Sequence, residues 1–263
     1  MSQGWVDIHC HLVPGIDDGA KDQNDTLAMA RLAVAEGTET VICTPHQLGA
    51  FRHNRGDQIR RRVQAVQELL NAHRIPLVVM PGADVRIEDD MPQLLASGEV
   101  LTLGDLRRHV LLELPHELYM PLEPVLDALR AQHLVGILSH PERNRGIMRT
   151  PEIIEPLVEA GCLMQVTCGS LAGSFGPQCQ QIAERFVSRG LVHFLATDGH
   201  GPKSRRPLFG QAVQRSTELV GEAATMKMCR DNPCLVAEGR DVAAGPIAVA
   251  APRRGWRFWK RAS

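Results

Sequence analysis

Seven short apolar runs punctuate the chain, at Trp5–His9, Thr40–Thr44, Leu77–Met80, Val110–Leu114, Val135–Ser139, Leu163–Thr167 and His193–Thr197. Their length and aliphatic, β-branched character predict buried strands. Between them lie stretches of helical spacing. Leu27, Ala30, Arg31 and Val34 follow a polar cap at Asp22–Asp25 and stop at Gly37, and similar helices are expected at 57–73, 121–132, 151–160, 177–189 and 208–220. Strand and helix alternating in this way indicate βα units around a parallel sheet, closed or doubly wound, hence an α/β fold. Single barrels of parallel strands and helices commonly reach this length of 263 residues, so one large domain is expected.

The polar residues that follow each strand carry the chemistry. The first strand runs into Asp7-Ile8-His9-Cys10-His11, the second into Thr44-Pro45-His46, the third into Gly82-Ala83-Asp84 and the fourth into Glu113. The fifth ends in Ser139-His140-Pro141-Glu142-Arg143 and the seventh in Thr197-Asp198-Gly199-His200. In parallel α/β folds the carboxyl ends of the strands converge on the active site, so these scattered positions become one cluster rich in imidazole and carboxylate. His9 and His11 are two residues apart, which in an extended strand turns both rings to the same side. Such nitrogen and oxygen donors without thiolate suit manganese, iron, zinc, cobalt or nickel. The remaining histidines, His53, His73, His109, His116, His133 and His193, fall in helices, loops or strand starts and read as structural.

Composition narrows the class further. With 44% hydrophobic and 22% charged residues the chain is an ordinary globular one, and no apolar run is long enough for a membrane span. A basic-then-apolar leader is not seen at the start, so a cytoplasmic location is expected. Seven scattered cysteines without a C-x-x-C pair argue against a disulfide framework or a thiolate zinc site. The net charge of −1 hides an asymmetry, because residues 253–263 hold five of the 29 basic residues and none of the 30 acidic ones. The acidic body that is left is a poor nucleic-acid binder. The Ala/Gly/Pro-rich stretch 243–252 reads as a linker, dividing a catalytic unit at 1–242 from a linker and flexible tail at 243–263. In that tail Arg253, Arg254, Arg257, Lys260 and Arg261 interleave with Trp256, Phe258 and Trp259, a pattern suited to weak association with the inner face of the cytoplasmic membrane.

The segments D-I-H-C-H-L-V-P-G-I-D-D-G, T-P-H, G-A-D, L-E-L, S-H-P-E-R and T-D-G-H, with Q-V-T-C-G-S-L-A-G-S-F-G at 165–176 and D-N-P at 231–233, resemble the CpsB/CapC family of bacterial protein-tyrosine phosphatases. That family lies within the polymerase and histidinol phosphatase (PHP) superfamily. The resemblance runs in order from residue 5 to about 238. It implies a distorted (β/α)7 barrel holding three metal ions, usually manganese, that hydrolyses phosphotyrosine on bacterial tyrosine kinases controlling capsular or exopolysaccharide synthesis. By the same resemblance, His9, His11 and Asp198 hold the first ion and Asp84 bridges to a second completed by Glu113 and His140. Asp18, His46 and His200 hold the third. Asp84 departs from the family's glutamate, and its shorter reach puts the bridge in question, since metal–oxygen distances tolerate little change. Arg143 matches a phosphate-binding arginine. A second is expected shortly after the D-G-H segment, where Arg205 and Arg206 compete and spacing favours Arg205.

Phosphate monoesters hydrolyse extremely slowly in water, so catalysis must supply a nucleophile and neutralise phosphoryl charge. Clustered metals do both through a metal-bound hydroxide, with arginine forks on the oxygens. Two literal C-x5-R matches, Cys179–Arg185 and Cys234–Arg240, raise a thiolate mechanism, but neither follows a strand through a phosphate loop. The alternatives are a PHP phosphoesterase acting on a small phosphomonoester such as histidinol phosphate, and a non-catalytic metal-binding scaffold.

Overall fold

A computed structural model describes residues 4–249, and the basic segment 253–263 lies outside the described residues. Among the described residues nine parallel strands are formed: β1 (Trp5–Cys10), β2 (Thr38–Cys43), β3 (His46–Gln47), β4 (Val78–Pro81), β5 (Asp84–Arg86), β6 (His109–Glu113), β7 (Val135–Ser139), β8 (Leu163–Thr167) and β9 (Phe194–Ala196). They pair in the orders β1-β2-β4 and β3-β5-β6-β7-β8-β9. β2 and β4 answer the expected runs Thr40–Thr44 and Leu77–Met80, whereas β3 and β5 were not expected: each continues its strand beyond an interruption, at Thr44 and Pro45 and at Gly82 and Ala83. Proline cannot donate to the ladder. At Gly82 a Cβ would stand 2.7 Å from the Ile42 side chain, so only glycine lets the strands approach there.

Counting each broken pair once leaves seven staves in sequence order, and the last returns to the first. Cys10 and Gly199 form a parallel bridge, with Asp198 N–H donating to His9 O (2.7 Å) and His11 N–H to Gly199 O (2.8 Å). The architecture is therefore a distorted (β/α)7 barrel.

Alternation along the strands divides the apolar residues into two clusters. Val6, Ile8, Ile42, Leu111, Ile137, Leu163 and Phe194 fill the interior, and Leu103, Val236 and Val242 join that cluster. A larger cluster fills the space between strands and surrounding helices, including Ile59, Val63, Val66 and Leu70 of the helix Gly56–Ala72. Two residues above the interior leucines and isoleucine, the same alternation places Glu113, Ser139 and Gln165 at the strand tips. β1 loses regular register between Asp7 and Cys10. There Ile8 joins the interior cluster while its neighbour His9 reaches Gln165.

The expected helices form at Gln23–Ala35, Gly56–Ala72, Glu123–Arg130, Ile154–Glu159, Pro177–Ser188 and Gly210–Val220. Short helices at Met91–Ser97, Arg145–Arg149 and Cys168–Leu171 were not expected from periodicity, nor was the helical run from Glu222 to Ala237. Residues 243–249 keep to the barrel: Ile247 is buried and its N–H donates to Gly190 O (2.7 Å), while Gly245 O meets His193 Nε2 (3.0 Å). Among the described residues no helix is long and apolar enough to cross a membrane.

Candidate metal centre

The strand tips bring together every histidine and carboxylate singled out as a ligand. His9 Nε2 lies 3.2 Å from His11 Nε2, 3.2 Å from Asp198 Oδ1 and 3.6 Å from Asp84 Oδ2, and His11 Nε2 lies 3.5 Å from Asp198 Oδ1. Atoms spaced this way stand at the corners of a polyhedron whose centre is about 2 Å from each, the bonding distance of a first-row divalent ion. Asp18 Oδ1 is 3.4 Å from both His46 Nε2 and His200 Nε2, which marks a second position. A third is outlined by Asp84, Glu113 and two histidines. Asp84 Oδ2 is 3.5 Å from His46 Nδ1 and 3.9 Å from His140 Nε2, while Glu113 Oε2 is 3.9 Å from His46 Nδ1. The groups overlap differently from the division implied by sequence. His11 also lies within the Asp18, His46 and His200 group, and His140 within that of His9 and Asp198.

Several imidazoles are held so that one ring nitrogen faces the centre. His9 Nδ1 donates to Gln165 Oε1 (2.9 Å), His11 Nδ1 to Asp17 Oδ2 (2.7 Å) and His200 Nδ1 to Asp198 O (2.9 Å), which leaves each Nε2 as a lone-pair donor. Asp17 also accepts the backbone N–H groups of Gly19 (3.0 Å) and His46 (3.1 Å). Gly19 is required here, because a Cβ would come 2.4 Å from His11 Cβ. Beneath the centre, buried Asp7 accepts from Thr197 N–H (3.0 Å), the Thr197 hydroxyl and His9 N–H (3.3 Å), tying β1 to the tip of β9. Burial pushes its carboxyl up to about 6, against those hydrogen bonds.

The electrostatics is that of buried carboxylates and imidazoles crowded together. Burial raises the Asp84 carboxyl well above its ordinary value, with Glu113 adding to the effect. Burial lowers His9 to about 3, against the pull of Asp198. For Asp198 burial alone would raise the pKa, but His9, His11, Arg205 and His200 hold it well below the usual carboxylate range. Asp84 Oδ2, Asp198 Oδ1 and His200 Nε2 are buried without any hydrogen-bond partner among the described residues. Unpaired buried acceptors are costly, and cations satisfy them. The donor set therefore fits divalent metal ions.

Arg143 and Arg205 both reach Asp198 Oδ2, Arg205 through Nη2 at 2.6 Å, while Arg206 is exposed and has no side-chain partner among the described residues. The guanidinium of Arg143 lies 4.4 Å over the Phe175 ring. Asp17 and Gln165, which orient the histidines, were not singled out from sequence, although both fall inside the quoted segments. His116, read as structural, stacks 5.8 Å from His140, and Phe51 stacks 5.2 Å from His46. The two C-x5-R cysteines sit within helices, at Pro177–Ser188 and Asn232–Ala237. Burial pushes the Cys179 thiol up to about 11 and raises Cys234 as well, the opposite of what a nucleophilic thiolate needs.

A sequence profile for capsular polysaccharide synthesis proteins of the CpsB/CapC type matches residues 5–238. The tyrosine-protein phosphatase YwqE of Bacillus subtilis (strain 168) is 39% identical over 202 residues, 76% of this chain and 79% of its own. The tyrosine-protein phosphatase CpsB of Streptococcus pneumoniae is 26% identical over 234 residues, 87% of this chain and 96% of its own. A crystal structure from work on those two proteins, described as unique metal-dependent tyrosine phosphatases, superposes with a TM-score of 0.88 at 34% identity, covering 94% of this chain and 99% of that one. A D-hydantoinase structure superposes with a TM-score of 0.50 at 11% identity, covering 95% of this chain and 74% of that chain, a likeness of fold alone.

Proposed function

Because the chain belongs to the CpsB/CapC family of capsular polysaccharide synthesis, we infer that it is a metal-dependent tyrosine phosphatase. The observation that carries this reading is the set of buried acceptors Asp84 Oδ2, Asp198 Oδ1 and His200 Nε2, which have no hydrogen-bond partner among the described residues, flanked by the guanidinium groups of Arg143 and Arg205. A structural metal site has no need of two arginine forks. A site for a phosphoryl group does.

In this reading the centre would hold three ions, manganese first among the metals that such donors accept, with iron, zinc, cobalt and nickel as the others. His9, His11 and Asp198 would hold one, Asp84, Glu113 and His140 another, and Asp18, His46 and His200 the third. When bound, the ions supply a nucleophile from water at neutral pH and positive charge for the phosphoryl oxygens. The chain's own residues do the rest. Gln165 and Asp17 fix the His9 and His11 rings, and Arg143, braced on Phe175, donates with Arg205 to the transferring group. A tyrosyl leaving group has a pKa of about 10, so its departure asks less of a protein acid than an alkoxide would. The substrate is phosphotyrosine on a bacterial tyrosine kinase of capsule or exopolysaccharide synthesis.

Hydrolysis of a phosphotyrosine peptide, with histidinol phosphate and single-stranded DNA as competing substrates, tests this function. Activity should favour the peptide, vanish with chelator, return with manganese and persist in Cys179→Ser and Cys234→Ser. A folded cysteine variant without activity, or turnover indifferent to chelator, would overturn it. We further propose that the barrel works at the cytoplasmic membrane face, through the basic and aromatic segment 253–263. Equal sedimentation with anionic vesicles by full-length protein and a chain ending at Pro252 would reject that attachment.

A further inference from the structure

A cavity of about 690 Å³ opens beside the metal centre on the side of Arg205. It shares Thr197 and Arg205 with the centre and is bounded by Phe175, the ring under Arg143. Its far wall includes Gln211 and Gln214 on the helix Gly210–Val220, and Lys203 and Arg206 stand exposed at its rim. The size is that of a ligand cleft rather than a packing defect.

Its charge is one-sided. Arg205 is engaged by Asp198, but neither Lys203 nor Arg206 has a side-chain hydrogen bond or ion pair among the described residues. The one acid of the lining, Glu36, accepts the backbone N–H groups of Phe209 (3.1 Å) and Gly210 (2.7 Å) through Oε2 and sets one negative charge against Lys203, Arg205 and Arg206. The excess of positive charge, with Lys203 and Arg206 at the rim unpaired among the described residues, raises the local concentration of anionic groups.

Resting on the phosphatase reading, we propose that this cavity receives the peptide flanking the phosphotyrosine and selects flanks that carry acidic side chains. With the phosphoryl group at Arg143 and Arg205, residues flanking the phosphotyrosine would run along the same cavity, whose lining continues from Arg205 to Arg206 and Lys203. Both cations are solvated, so each acidic residue should raise kcat/KM only about threefold, chiefly through KM, and salt should erase the gain.

The test uses metal-loaded, full-length protein and three phosphotyrosine peptides that differ only in two flanking residues, Glu, Gln or Lys, with free phosphotyrosine as reference. Glu should exceed Gln and Gln should exceed Lys at low salt. Lys203→Glu, an exposed substitution that leaves the core alone, should bring the Glu-to-Gln ratio to about one or below. Equal kcat/KM across the peptides, with free phosphotyrosine still hydrolysed, overturns the flank selection and leaves the phosphatase standing. Retention of the Glu preference in Lys203→Glu overturns it too. Absence of hydrolysis on every phosphotyrosine substrate removes both readings. If Lys203→Glu instead abolishes binding to anionic vesicles and leaves peptide preference unchanged, the surface belongs to a membrane and the proposal falls.

Discussion

Acid should loosen the barrel through His193, a residue remote from the metal centre. Its imidazole is buried, with Nδ1 accepting from Met164 N–H (3.1 Å) and Nε2–H donating to Gly245 O (3.0 Å). The first bond requires an unprotonated Nδ1, and burial, with Lys227 nearby and against the Gly245 bond, lowers the pKa to about 4. An unfolded histidine titrates near 6.5, so between those values the unfolded chain holds the extra proton. The stabilisation is complete above about pH 6.5 and is lost as pH falls through the folded value. Integrating the two titrations gives a loss of about 2 kcal/mol between pH 7 and pH 5 from this residue. At a urea slope of about 2 kcal/mol/M the denaturation midpoint would fall by roughly 1 M. His193→Asn retains an acceptor for Met164 N–H but does not titrate. Urea denaturation of both proteins at the two pH values isolates the residue, because all other titrations are common to the pair. The variant should lose about 2 kcal/mol less than the parent on acidification. Parallel losses in the two proteins would refute the assigned proton and, with it, the hydrogen-bonded account of how 243–249 is held.

Arg143→Ala should slow phosphotyrosine hydrolysis by about 10²- to 10³-fold, the cost of one preorganised donor at developing charge, with metal content unchanged by elemental analysis. A rate equal to the parent's would remove Arg143 from the phosphoryl site. Asp84→Glu should keep or increase occupancy of the second ion, since the longer side chain extends the bridge by about one C–C bond. Asp84→Ala should bind fewer ions in a metal titration, and an unchanged number would show that Asp84 is no ligand.

The fold was legible wherever one element answered one apolar run. Val135–Ser139 and Leu163–Thr167 form strands with the bounds expected of them, because both are buried on two faces and bounded by turn residues. The breaks at Pro45 and Gly82 were not legible as breaks. They depend on a close approach between β2 and the chain after β4 that local pattern does not contain. Helices such as Arg145–Arg149 and Cys168–Leu171 span about one turn, too short for periodicity to register. The clustering of the histidines and carboxylates could be read because strand tips in a parallel barrel share one end. Asp17 and Gln165 could not, since their role is a hydrogen bond to a ring. For Gln165 that bond links residues 156 apart in sequence.

What the barrel tips have in common is backbone strain placed where side-chain direction matters. His140 (φ 34°), Asp198 (φ 50°) and Arg205 (φ 47°) all occupy the left-handed region, where a Cβ costs on the order of 1 kcal/mol or more. Glycine would remove that cost, but it would also remove an imidazole, a carboxylate or a guanidinium from the centre. The conformations are instead held by backbone bonds that leave little alternative. Arg143 N–H donates to His140 O (3.0 Å), Asp198 N–H to His9 O (2.7 Å) and His200 N–H to Arg205 O (2.8 Å). The first and third bonds close turns just beyond β7 and β9, the second ties the tip of β9 to β1, and together they fix the directions of His140, Asp198 and Arg205. A regular strand end would send alternate side chains to opposite faces. The positive φ angles at His140 and Asp198 are therefore how β7 and β9 turn an imidazole and a carboxylate into the cluster, with Arg143 and Arg205 following at three and seven residues and both reaching Asp198 Oδ2.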